Sequence, residues 1–139
     1  MKGQLWDICV MILTLGFLIF LVNAAFGSID EAFRISAVIN SEEITGVINV
    51  LQAAPSKTTY TYFLPAAECK LTIKSYESLT IVNFTSTTFG IANTGITEPL
   101  MKGLPIDDIV ADCDNNEEKK IFFQRCSDAI RINENEVAC

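Results

Sequence analysis

The chain contains no histidine. That removes Ser-His-Asp and Cys-His catalysis and the commonest metal ligand. It has no Cys-x-x-Cys pair, so neither a zinc ribbon nor a thioredoxin-like site is expected. Ser-x-x-Lys, Gly-x-Ser-x-Gly and the phosphate-binding P-loop are missing as well. The neighbours Asp107 and Asp108 do not make a carboxylate pair, because adjacent residues diverge on a helix or a strand. No enzyme and no cofactor is expected. There is also no basic excess: the formal net charge is -7, and more than half of the acids follow residue 100. A surface of that sign repels phosphate backbones, so no nucleic-acid partner is expected. Repeats and low-complexity linkers are absent, and 139 residues suit one domain with a modest core.

What is present begins with an uninterrupted apolar run. Ile8 to Phe26 carries no charge, and only Thr14 and Asn23 are clearly polar. As a helix these residues extend about 28 Å, close to the hydrocarbon thickness of a bilayer. A cleaved export signal has a shorter apolar core and a small-x-small site. Asn23-Ala24-Ala25 and Ala25-Phe26-Gly27 match such a site imperfectly, so a retained span is expected. Lys2 and the amino terminus precede the span, and Asp30-Glu31 follow it. Positive residues stay inside, which predicts the N-terminus in and residues 28–139 out. Asp7 stands at the edge of the run, where a carboxylate suits the interface and a helix N-terminus.

Beyond the run, Ser28-Ile29-Asp30-Glu31 reads as a capping box, either opening a helix or marking a bend. A helical stripe follows in Ile29, Phe33, Ala37, Asn40, Ile44, Val47, Ile48 and Leu51, with Ser41 and Thr45 on the polar face. Pro55 ends it. The period then changes to two. Thr59–Phe63 and Glu68–Lys74 read as strands, and Leu79–Phe84 as the hairpin partner of the second. A short strand is expected around Phe89-Gly90-Ile91, a helical turn over Ile106–Val110, and strands over Ile121–Arg125 and Ala129–Asn133. The order is α+β: a long N-terminal helix, hydrophobic and then amphipathic, followed by a small antiparallel β domain stapled by disulfides. The divisions are 4–27 for the membrane or core helix, 28–54 for its amphipathic continuation and 55–139 for the outer β domain.

Cys9 lies inside the run, as a buried apolar group or a lipid-facing thiol. Cys69, Cys113, Cys126 and Cys139 follow it, an even number that predicts two disulfides in an oxidising compartment, with three pairings open. Asn83-Phe84-Thr85 is an N-glycosylation sequon. Asp112, Asp114, Asn116 and Glu118 alternate like the start of a calcium loop. The glycine needed at the sixth position is Glu117, however, and the acid needed at the twelfth is Phe123, so a solvated acidic turn is the expectation.

Lys2-Gly3-Gln4 ahead of an apolar helix resembles the class III signal peptide of archaeal type IV pilins and pilin-like proteins. The resemblance implies that a prepilin peptidase cuts between Gly3 and Gln4, removing residues 1–3 as a leader. The helix then anchors the chain in the bilayer and afterwards packs in a filament core. It further implies partners in copies of this chain or related pilins and in an assembly platform. The family commonly places Glu at the fifth residue after the cut; here that residue is Ile8, and the acid precedes it at Asp7. A one-residue shift turns a side chain by about 100° on a helix. Two functions follow as expectations: a major or minor subunit of a type IV pilus-like surface filament, or a membrane-anchored extracellular binding protein that does not polymerise.

Overall fold

The computed structural model describes residues 2–77, 79–88, 91–99, 103–114, 116–136 and 139, with side chains from Val10 onward except those of Thr88 and Ile91. It divides into two units, Met1–Ala32 and Phe33–Cys139. The fold is α+β, as expected from sequence: one long N-terminal helix and a β domain of two small antiparallel sheets.

Helix α1 spans Lys2–Ala53 in 52 residues, more than twice the ~20 that cross a hydrocarbon layer. The capping box is not used as a cap. The Ser28 hydroxyl donates to the Ala24 carbonyl at 3.0 Å, one turn back along the same helix. Helical residues on both sides already satisfy the local N–H groups, which leaves none for a cap to serve. Gly16, Gly27 and Gly46 leave the helix intact, and open space surrounds each of them. Pro55 does stop it, and Lys57 turns the chain with a positive φ of 75°. The turn is tied to the β domain by Lys57 N–H to Arg125 O at 2.6 Å and Arg125 N–H to Thr58 O at 2.8 Å.

Seven strands follow: β1 (Thr59–Leu64), β2 (Cys69–Tyr76), β3 (Leu79–Thr88), β4 (Ile91–Thr97), β5 (Ile109–Asp112), β6 (Lys119–Arg125) and β7 (Ile130–Asn133). One sheet has the order β1-β6-β7 and the other β4-β3-β2-β5. The β2–β3 hairpin closes where expected, with Tyr76 opposite Leu79. The short strand expected around Phe89-Gly90-Ile91 falls partly outside the described residues, at Phe89 and Gly90, and β4 begins at Ile91. One local expectation fails: the helical turn predicted over Ile106–Val110 is instead extended chain leading into β5. Burial of Ile106 and Ala111, together with pairing of Ile109–Asp112 to β2, outweighs any local helical preference there.

The second unit has one core. Ala37, Ile44, Ile48 and Leu51 of α1 meet Tyr62 and Leu64, Leu71 and Ile73, Val82 and Phe84, Ile121 and Phe123, and Ile130 and Ile132. Each strand pair alternates, one residue in and one out, as a half-buried sheet requires.

Candidate assembly surface

Most of the exposed large apolar side chains lie on α1, and its two stretches differ in kind. From Val10 to Phe26 twelve large apolar side chains are exposed, including Met11 at 75% and Phe20 at 67%. No polar face interrupts them. Moving such side chains from water to lipid or to partner helices releases roughly 1.5–3 kcal/mol each. This is the one helix among the described residues that is long and apolar enough to cross a membrane.

Within Phe33–Ala53 the helix has two faces. Ala37, Ser41, Ile44, Thr45, Ile48 and Leu51 are buried. Spacings of three and four place Ile35, Ile39, Glu42, Gly46 and Val50 together on the other face. There Ile35, Ile39 and Val50 stand 49%, 55% and 69% exposed. Ser41 and Thr45 depart from their predicted polar face. Each satisfies its hydroxyl on the helix itself, through Ser41 to the Val38 carbonyl and Thr45 to the Ser41 carbonyl, both at 2.8 Å. Thr97 of β4 completes the contact by donating to the Ser41 carbonyl at 3.0 Å, its hydroxyl oxygen lying beside that of Thr45.

The same strand approaches the helix most closely at Gly95. A Cβ there would run into the Ala37 carbonyl and sit 2.7 Å from the Val38 Cα. Both obstacles are backbone, so only glycine fits. Alternation of β4 around a small residue facing a small helix residue was the available signal, and sequence reading gave Gly95 no such role.

Asn40, Glu43, Glu118 and Tyr60 to Pro65 line an open cavity of about 320 Å³. The Tyr62 phenol donates to Asn40 Oδ1 at 3.0 Å. Burial, then the Glu43 carboxylate, then Tyr60, hold that phenol above its ordinary range, so it remains a donor. Tyr60 and Tyr62 share a face of β1 by alternation, yet Tyr62 is buried and Tyr60 is exposed.

The remaining predicted residues fall as follows. Gly3, Gln4 and Asp7 lie on α1 with side chains outside the described residues, as does Cys9. Cys69 pairs with Cys113 and Cys126 with Cys139, at Cα separations of 5.0 and 5.4 Å, inside the range a disulfide spans. The first bridge staples neighbouring strands, and Cys113 N–H also donates to the Cys69 carbonyl at 2.8 Å. Asn83 is half-buried on β3. Of the calcium candidates, Asp112, Asp114 and Glu118 line one open cavity without forming a set of metal ligands. Asp112 faces Lys70 at 3.6 Å, and Asp114 accepts the Asn116 N–H at 2.9 Å in a local turn. Lys119 bonds the Asp112 carbonyl at 3.2 Å and pairs with Glu134 at 2.6 Å. Glu118 is exposed, and among the described residues no group of three His, Cys, Asp or Glu is placed to hold a metal ion.

No family model, no curated protein and no solved structure matches the chain.

Proposed function

We propose that this chain is a structural subunit of a type IV pilus-like surface filament. Residues 1–3 are removed on the cytoplasmic side, the helix is held in the bilayer, and copies then assemble through α1 with their β domains outward. One observation carries the reading: the apolar surface of α1 does not stop where a membrane span would. Ile35, Ile39 and Val50 remain exposed along the stretch whose other face is buried on the β domain. A simple anchor needs about 20 apolar residues and gains nothing from an apolar face beyond them. A filament core uses that face, because helices of neighbouring copies supply the apolar partner. Lys2-Gly3-Gln4 supplies the matching processing signal, and the two disulfides suit a domain outside the cell.

The second reading, a membrane-anchored binding protein, is favoured by the position of the acid, at Asp7 rather than at Ile8. The mature N-terminus separates the two. Mass spectrometry of the natively produced protein is expected to show a chain beginning at Gln4. A chain with an intact Met1, or one beginning near residue 26, sinks the filament reading. Recovery of this chain in sheared surface filaments sinks the anchor reading.

A further inference from the structure

A row of four side chains crosses the outer face of the four-stranded sheet. The strand registers align Val110 with Thr72, Thr72 with Asn83, and Asn83 with Ile96. Alternation turns all four away from the core, in which Leu71, Ile73, Val82, Phe84 and Ala111 are buried. The ends of the row are large and apolar, yet Ile96 is 63% and Val110 53% exposed. Near its centre stands the first residue of the one sequon in the chain, Asn83-Phe84-Thr85.

The geometry of that sequon is open. Asn83 and Thr85 lie on the same outward face, and Phe84 between them points into the core. The Thr85 hydroxyl donates to Asn83 Oδ1 at 3.3 Å, while Nδ2 of Asn83 donates to nothing among the described residues. The transferable nitrogen is thus unengaged on a solvent-facing sheet surface, in a domain whose disulfides suit an oxidising compartment.

We propose that Asn83 carries an N-linked glycan, and that this glycan covers the row from Val110 to Ile96. The donor is an oligosaccharide joined through its anomeric carbon to a lipid phosphate. Asn83 Nδ2 bonds the anomeric carbon as the carbon–oxygen bond to the phosphate breaks. The lipid phosphate leaves with the bonding electrons, and one amide proton is released to a base. Nothing is oxidised or reduced. The C–H faces of the sugar rings then lie over Ile96 and Val110, which a bare sheet leaves in water. The inference rests on residues 28–139 lying outside the cell, which the filament and anchor readings share, and it does not require assembly.

The test is glycopeptide mass spectrometry on the full-length protein from the organism that encodes it. Trypsin releases residues 75–102 as one peptide containing Asn83. That peptide is expected to exceed its sequence mass by whole sugar units, with the added mass fragmenting onto Asn83. Asn83→Gln and Thr85→Val return it to sequence mass, and Thr85→Ser keeps the sugar. Native peptide at its sequence mass, or sugar located on a threonine, overturns the proposal. Asn83→Gln protein is expected to bind about twofold more of an apolar dye, an excess that Ile96→Ser removes; equal dye binding overturns the covering role. The N-terminal peptide in the same digest reports processing separately. A start at Gln4 with bare Asn83 defeats the glycan alone, and a peptide beginning at Gly3, which trypsin leaves by cutting an unprocessed chain after Lys2, together with glycosylated Asn83 defeats the filament reading alone.

Discussion

The first half of α1 and the second half are drawn from similar residues, yet they meet different surroundings. Between Val10 and Phe26 the apolar side chains point in every direction and all are exposed. Between Ala37 and Leu51 they divide, with one face buried against two sheets and the other left open. A helix apolar on all sides has no folding problem that its own chain can solve, so its burial must come from lipid or from other helices. A helix apolar on one face can be completed by its own β domain. Hydroxyls such as those of Ser41 and Thr45 are then tolerated inside, because the helix carbonyls accept their protons.

The largest test of this contrast is truncation. Residues 33–139 alone are expected to fold and stay monomeric in water, while the full chain partitions into detergent; sedimentation with and without detergent checks it. A fragment that aggregates would place the essential support for the β domain in the first half of the helix.

Breaking the staples comes next in size. Replacing Cys69 and Cys113 by Ser frees a 44-residue separation and is expected to cost about 4 kcal/mol, against about 3 kcal/mol for the 13-residue separation of Cys126 and Cys139. Urea melts of the two double variants check the order.

Gly95→Ala pushes β4 away from the helix and is expected to cost about 3 kcal/mol, since the new methyl meets helix backbone at Ala37 and Val38. Gly16→Ala, in the first half, meets open space and should leave the β domain unchanged.

Tyr62→Phe should cost about 1 kcal/mol near neutral pH, by leaving Asn40 without its donor. It should also flatten the alkaline limb. The folded Tyr62 resists ionisation. Its contribution is therefore complete below the unfolded phenol value near 10 and is lost as pH rises above it. Stability measured from pH 8 to 12 should fall more steeply in the parent than in the variant.

The smallest effect on folding is expected at Ile39. Ile39→Ser lies on the open face and should change the stability of the β unit by less than about 0.5 kcal/mol. On the proposed function it nonetheless abolishes filament recovery, and normal filaments from this variant would remove the open face from the assembly surface.

Much of the fold was legible because it was local. The all-round apolar run, the stripe of Ala37, Ile44, Ile48 and Leu51, the stop at Pro55 and the alternation of Cys69, Leu71 and Ile73 each follow from the period of one segment. Four cysteines in the domain after the run made two bridges readable. The failures were not local. Ile109-Val110 has no alternation long enough to announce a strand and becomes one because β2 offers an edge. Ser28 looked like a cap only while the helix on its N-terminal side was in question.

By itself, then, the sequence determined the long helix, its change from all-round to one-sided apolarity, the β character of the remainder and the even set of outer cysteines. Hydrophobic period and residue chemistry act within a few residues and need no partner. Only the tertiary structure decided the cysteine pairing, the split into β1-β6-β7 and β4-β3-β2-β5, and the seat of Gly95 on Ala37. It also set Tyr62 on Asn40 and aligned Asn83 with Ile96 and Val110 across one face. These depend on strand register and on contacts between distant segments, which are settled when one core must bury all of its faces together.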